Sequence, residues 1–358
     1  MNILVCSSYK NSWHAVRPEA ELFIELAKQG HNITVATQAD AEYVQRFKEH
    51  GIKVVDAYPT KKICFDTIKK LKKIIKEQQI DICYAFNSKT IPNAAFASIG
   101  SKVKLIAYRG TTGGLYRHDI SAYLTILHPR VDGVVCVSEA VRQDVLNRVW
   151  KNKQNVVTIY KGHDINWYDP EPLSRQEFAI PEQAKIGICV ANSRPSKGVQ
   201  VLLGAVKDID DPNFHLILVG AGMEELQQLA AQSSMANRIH FLGFRKDISN
   251  LMAMSDFQIQ PSISGEGLPK TIIEAMVVSK PSIVTTTGGS AELISTDING
   301  IVVDSGDQNG LKGAILKFIS KEVDLTAMGT KSKQIMEKEF SLQKSVQDHL
   351  EYFSKLLS

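Results

Sequence analysis

The feature that most constrains this chain is an alternation, run through twice, of short continuous apolar runs with helical patterns. In the first half NILVC precedes RPEAELFIELAKQ, NITVAT precedes AEYVQRFKEH, and IKVVDAY precedes a lysine-rich segment. DICYAF, KLIAY, GVVCVS and VVTIY follow. Apolar runs of this kind read as strands covered on both faces, and helices between them make the sheet parallel. The fold class is α/β, and the first half is a doubly wound domain.

Around residues 162–183 (GHDINWYDPEPLSRQEFAIPEQ) the periodicity fails and prolines, aromatics and acids cluster. The pattern then restarts with KIGICVAN, HLILVG, RIHFLG, DFQIQPS, SIVTTT and GIVVDS. The expected organisation is a first Rossmann-like domain over 1–163, a connection over 164–183 and a second Rossmann-like domain over 184–340. A final helix over 341–358 is expected to pack back onto the first domain. Two such domains in series would face each other across a cleft at the carboxyl ends of their strands, where open α/β proteins bind ligands. A length of 358 residues suits two domains.

Composition removes several classes. A net charge of +4 among 42 basic and 38 acidic residues gives no reason to expect nucleic-acid binding. Cys6, Cys64, Cys83, Cys136 and Cys189 are widely spaced, form no C-x-x-C pair and read as reduced core residues of a cytosolic protein. MNILVCSSYK enters a strand directly, without a signal-peptide pattern. With no apolar stretch long enough to span a bilayer, the expected location is the cytoplasm, at most peripheral on a membrane.

The turns of the second half carry groups suited to an anionic nucleotide. After KIGICVAN, the turn SRPSKG places Arg194 and Lys197 before a helix starting near Gly198, which makes a diphosphate cradle or, alternatively, a solvated basic turn. Gly220 and Gly222 follow HLILVG and permit close backbone approach, but Glu225 stands where a dinucleotide fingerprint has its third glycine. Asp208 and Asp210 precede that strand, at the edge away from the cleft, and read as a turn rather than a metal site.

The most informative stretch is SISGEGLPKTIIEAM, residues 262–276. Pro269 suits a first helical position, so Glu266 falls just outside a helix and Glu274 about a turn and a half inside it. The amides of Gly267, Leu268 and Lys270 would lie at the positive end of that helix. Glu274 sits among Ile272, Ile273, Ala275 and Met276, and a buried carboxylate needs a partner, here expected to be a ligand. A dipole-complementing Glu266 and a solvated Glu274 are the plainer alternatives. The turn GGSAEL, with Gly288, Gly289 and Glu292, and the loop with Arg245 are further candidates.

At these residues the second half resembles the retaining glycosyltransferases of family 4, which have the GT-B fold of two Rossmann-like domains. SRPSKG, LVGAG, FLGFRKDI, PSISGEGLPKTIIEAM, KPSIVTTTGGSAEL and NGIVVDSGD stand in that family's order, and GVVCVSEAVRQDV and YKGHDINWYDP match the first half more loosely. The resemblance implies transfer from a UDP- or GDP-sugar with retention, without an obligatory metal or other cofactor. Glu266 would contact the donor sugar, Glu274 the ribose, and Arg194 and Lys197 the diphosphate. The Gly267 and Leu268 amides would face the sugar, and Phe244 and Arg245 would flank the base. Asn192, Gly220, Gly265, Pro269 and Lys270 complete the expected donor lining.

The acceptor side departs from the pattern. Where many members have a histidine before a glycine, YRGTTGG has Arg109 before Gly110, and a guanidinium cannot act as an imidazole acid or base. Arg109 is the expected first-domain contributor to the chemistry, with Ser8, Asn11, His14 and Arg117 on the acceptor side. The Asn87-Ser88-Lys89 turn is another candidate, and His14 and His118 also read as ordinary surface histidines.

The implied acceptor is a glycan or lipid-linked glycan of lipopolysaccharide, capsule or exopolysaccharide type, an assignment that rests on family habit. A nucleotide-sugar epimerase of the same architecture and a non-catalytic nucleotide-sugar-binding subunit are the alternatives. In the lysine-rich helix of residues 61–79, Ile68, Leu71, Ile74 and Ile75 share one face while Lys69, Lys70, Lys72, Lys73 and Lys76 lie elsewhere. That pattern fits a sheet-packing helix with a solvated basic face, or a face that touches anionic lipid.

Overall fold

The structure, a computed structural model, describes residues 1–10, 13–320 and 322–358, without the side chains of 13–15. The chain divides into a unit of Met1–His163 with Phe340–Ser358 and a unit of Asp164–Glu339. Both are α/β units built on a wholly parallel sheet.

The first sheet contains β1 (Asn2–Cys6), β2 (Asn32–Thr37), β3 (Lys53–Asp56), β4 (Ile82–Ala85), β5 (Lys104–Arg109), β6 (Gly133–Cys136) and β7 (Val156–Thr158), in the order β3-β2-β1-β4-β5-β6-β7. The second contains β8 (Lys185–Val190), β9 (Phe214–Val219), β10 (Ile239–Phe241), β11 (Phe257–Gln260), β12 (Ser282–Thr285) and β13 (Gly300–Val303), in the order β10-β9-β8-β11-β12-β13. Every residue of β4, β6, β9, β11 and β12 is buried. Continuous apolar runs are what strands covered on both faces require.

Each order reverses direction once. In the first sheet the reversal lies between β1 and β4, in the second between β8 and β11. The turns leaving the carboxyl ends of such a strand pair diverge and open a crevice, so this position, fixed by topology alone, is where an open sheet holds a ligand.

The final helix, Leu342–Leu357, belongs to the first unit. Its Ser345 hydroxyl donates to the Tyr160 carbonyl at 2.9 Å, and Tyr352 Oη donates to the Asn155 carbonyl at 2.7 Å. A Cβ at Gly162 would fall 2.6 Å from the Leu342 Cα, so only glycine lets this helix approach.

The second unit begins at Asp164, so the segment 164–183 packs within it rather than standing apart as a connection. The reason is Arg175. Its guanidinium donates to the carbonyls of Glu182, Ala184 and Met254 and to the carboxylate of Asp256, while Ile180 is buried beside it. Among the described residues no helix is long and apolar enough to cross a membrane.

Candidate active site

Three turns meet at the carboxyl edge of the second sheet, and glycines set how closely. Gly198, at φ +68°, ends the turn after β8, and a Cβ there would fall 1.8 Å from the Pro261 carbonyl oxygen in the turn after β11. The same turns are joined by the Ser196 carbonyl, which accepts from the amides of Ile263 and Ser264 at 2.8 and 3.3 Å. On the other side the turn after β12 presses in. A Cβ at Gly288, φ +56°, would lie 2.2 Å from the Glu266 carbonyl oxygen, and the Gly289 amide donates to the Gly267 carbonyl at 2.9 Å. Residues 261–269 are thus clamped from both flanks. Gly220 extends the arrangement: a Cβ there would meet the Ala191 carbonyl oxygen at 1.8 Å.

The clamp fixes one carboxylate. Glu266 is 5% exposed, and its Oε1 accepts from Lys197 Nζ at 2.6 Å, Ser262 Oγ at 2.5 Å and Gln260 Nε2 at 3.2 Å. Beneath it, Gln260 Oε1 accepts from Thr271 Oγ1 at 2.9 Å and Gln258 Nε2 at 3.2 Å. Gln258, Gln260 and Ser262 are all buried and follow one another at every second residue, so they rise along one face of β11 and the residues beyond it. Thr285 and Thr287 donate to the Ser262 carbonyl at 2.6 and 2.8 Å. A buried carboxylate held by a cation and satisfied hydrogen bonds keeps its position. This supporting column escaped the sequence reading. Its signal was FQIQPS, in which two glutamines interrupt a strand whose neighbours are apolar.

Glu274 is also buried, and Lys270, four residues earlier, is its ion-pair partner. The partner that burial demanded is therefore supplied by the same helix, Lys270–Val277. Pro269, expected in the first helical position, is instead the residue before it: its ψ of 117° is extended, and the helix begins at Lys270. Gly265, at φ +78°, has open space where a Cβ would sit. Gly267 and Leu268 lie between Glu266 and the helix.

At the rim, Arg194 is exposed, and Asn192 Oδ1 accepts from its amide at 3.3 Å and its Nε at 3.0 Å. Arg245 donates to Asp247 through Nε and Nη2, at 2.8 and 2.5 Å, and that pairing raises the guanidinium pKa further. Phe244 beside it is 73% exposed.

The remaining expected residues lie in the first unit. Arg109 ends β5 and donates to the Gly113 carbonyl of its own loop, whose amide in turn donates to Asp144 at 3.0 Å. Burial lowers the Arg109 pKa, against the pull of Asp144. Ser8 exchanges hydrogen bonds with Gln38, at 3.0 and 3.3 Å. Arg117 donates through Nε to the Arg148 carbonyl at 2.8 Å. Asn11 and the side chain of His14 lie outside what the structure describes.

Lys197, Glu266, Gly267 and Gly289 therefore meet in one place within the second unit, at the reversal of its sheet. Two parallel doubly wound units with such an edge define a protein of GT-B architecture. The family described as "Glycosyl transferases group 1" matches residues 170–335, and "Glycosyltransferase Family 4" matches residues 20–167. The chain belongs to the family 4 glycosyltransferases.

It is similar to the N-acetyl-alpha-D-glucosaminyl L-malate synthase of Bacillus anthracis, with 25% identity over 92% of this chain and 90% of that protein. It is also similar to the lipopolysaccharide core biosynthesis glycosyltransferase LpsE of Rhizobium meliloti, with 24% identity over 59% of this chain and 60% of that one. Among solved structures, Anabaena HepE in complex with UDP shares the fold. Its TM-score is 0.82 at 22% identity, over 99% of this chain and all of HepE, and HepE has also been solved with UDP-glucose.

Proposed function

We propose that this glycosyltransferase moves a sugar from a nucleoside diphosphate sugar, UDP- or GDP-linked, to a hydroxyl of a glycan or lipid-linked glycan, with retention at the anomeric carbon. The observation that carries the reading is the meeting of Lys197 and Glu266 across the switch point of the second sheet. An ammonium has three N–H donors, so Lys197 can hold Glu266 and still donate to a diphosphate oxygen. Arg194 adds a second cation at the rim, and the amides of Gly267 and Leu268 face the bond that breaks.

In this reading Glu266 orients hydroxyls of the donor sugar, while Glu274 and Lys270 bind the ribose end of the nucleotide, with Phe244 and Arg245 flanking the base. The anomeric C–O bond breaks toward the diphosphate, whose growing charge is met by Lys197, Arg194 and the helix-end amides rather than by a metal. The acceptor hydroxyl attacks on the same face and passes its proton to the departing phosphate oxygen, so no enzyme nucleophile is required. Arg109, Ser8 and Arg117 are the first-unit residues proposed for the acceptor, with His14 and Asn11 in the preceding loop.

The acceptor belongs to envelope polysaccharide synthesis in this proposal, as the name of the Rhizobium relative suggests. A place on the inner face of the plasma membrane fits the helix Phe65–Glu77. Lys69, Lys70, Lys72, Lys73 and Lys76 are all exposed there, and Phe65 at its start is 82% exposed. Such a combination binds anionic lipid. Cosedimentation with phosphatidylglycerol vesicles that ignores salt and lipid charge would remove this part of the proposal.

Calorimetry with UDP, GDP, ADP and their glucose conjugates tests the donor site. At least one nucleotide is expected to bind, and its sugar conjugate to be turned over with retained anomeric configuration. No binding by any of them would overturn the reading.

A further inference from the structure

The amino edge of the second sheet, opposite the turns just described, carries a cavity of about 450 Å³ that donor binding leaves unused. Tyr168, Pro170 and Pro172 form one wall, Val278 and Lys280 another, and Lys333 of the helix Leu325–Glu339 a third. All belong to the second unit. The volume falls in the range of small-molecule sites, and rigid rings with a few polar groups are what such sites are made of.

The charges in this cavity are one-sided. Its lining contains two lysines and no carboxylate. Among the described residues neither the Lys280 nor the Lys333 ammonium has a carboxylate within 4.0 Å. The nearby acid, Asp256, is already committed: it takes Arg175 at 3.2 Å, Lys185 at 3.1 Å and the Ile186 amide at 2.9 Å. Burial lowers the Lys280 pKa, Asp256 opposes that, and Arg175 and Lys185 add repulsion. A half-buried cation among other cations is a costly arrangement unless an anion completes it.

We propose that this cavity is a second ligand site, taking the phosphate monoester of a small sugar. A phosphate monoester carries close to two negative charges at neutral pH and matches two ammonium groups. The sugar ring would lie against Tyr168 and the two prolines, whose flat apolar faces suit its C–H edges. The site is separate from the donor turns, and the helix Lys270–Val277 runs between them: it begins at the Glu274 partner Lys270 and ends with Val277 lining the cavity.

Calorimetry of the full chain with glucose 6-phosphate, with glucose as the uncharged control, tests the assignment. Binding of the phosphate but not of glucose is expected, weakening with added salt. Lys280→Met should weaken it at least tenfold and Lys197→Met should leave it unchanged. A second variant, Lys333→Met, should weaken it severalfold, which keeps the test decisive if Lys280→Met does not fold. Equal binding of glucose, undiminished binding in Lys333→Met, or loss in Lys197→Met alone would overturn the proposal. The last outcome would assign the phosphate to the donor turns, leaving the glycosyltransferase reading intact.

Discussion

Gly198 and the carbonyl of Pro261 are in backbone contact: the Cβ that Gly198 lacks would fall 1.8 Å from that oxygen. The turns after β8 and β11 can approach so closely only because one of them begins its helix with a glycine in the left-handed region. Gly198→Ala must either push the turns apart or force alanine into that region. Overpacking costs about 1–3 kcal/mol and the left-handed backbone about 1–2 more. Urea unfolding should therefore show a loss of about 2 kcal/mol or more, with donor binding reduced as Lys197 moves from Glu266. Gly265→Ala is the control. It shares a positive φ, +78°, but has open space at Cβ, so only the backbone term of about 1 kcal/mol should appear.

Lys197 pairs with the Glu266 carboxylate at 2.6 Å. Its removal in Lys197→Met takes an ion-pair partner from a buried carboxylate. The expected destabilisation is about 2 kcal/mol, below the full cost for a wholly buried pair because Lys197 is 21% exposed. The double variant Lys197→Met, Glu266→Gln should recover part of that loss, giving a coupling energy on the order of 1 kcal/mol in a double-mutant cycle. Additive losses would show that the two side chains act independently.

The strands were legible in the sequence because parallel strands buried on both faces leave unbroken apolar runs, and the position of SRPSKG and SISGEGLPK after such runs placed both at the carboxyl edge. Partners were harder to read. Gln258 and Gln260 carry no mark of Thr271 or Glu266, which reach them only through folding. Glu274 reads as a carboxylate needing a partner, and the structure shows the i,i+4 lysine Lys270 as one, a pairing the sequence does not single out. Nothing in FRKD marks Arg245 as paired, although Asp247 stands two residues away and accepts from its Nε and Nη2. Arg175 shows the same limit at longer range, since its acceptors at Met254 and Asp256 lie 79 and 81 residues away. Local pattern fixes elements and edges; the pairing of charges depends on which turns the topology brings together.

The two glutamates should separate by probe. Glu274→Ala removes the group proposed for the ribose and frees Lys270, so free nucleotide should bind about tenfold to a hundredfold more weakly, the loss of one charge-assisted hydrogen bond or so. Glu266→Ala should leave free-nucleotide affinity within a few-fold and lower turnover of the sugar nucleotide instead. Calorimetry with nucleotide and sugar nucleotide on both variants checks the division, and equal losses with both ligands in both variants would contradict it.

His215 and His240 stack at 5.2 Å on neighbouring strands β9 and β10, with one hydrogen bond of 3.0 Å between their rings. One ring must donate and the other accept, so the pair cannot be doubly protonated and keep the bond. Burial, then His240 and Arg238, push the His215 pKa down to about 4, and burial lowers that of His240 as well. In the folded chain His215 stays neutral over a range in which the unfolded chain, with an ordinary pKa of about 6.5, takes up a proton. The unfolded state then binds more protons, and stability falls as pH falls from about 6.5 toward 4, by at most about 1.4 kcal/mol per pH unit for each such histidine. Burial pushes His349 of the final helix down to about 4 too, so the first unit carries the same dependence. Urea midpoints measured between pH 7.5 and 5 should decline on the acid side, and replacing both His215 and His240 by Gln should flatten the part of that decline that belongs to the second unit. An unchanged slope in the double variant would place the acid sensitivity elsewhere, with His349→Gln the next substitution to measure.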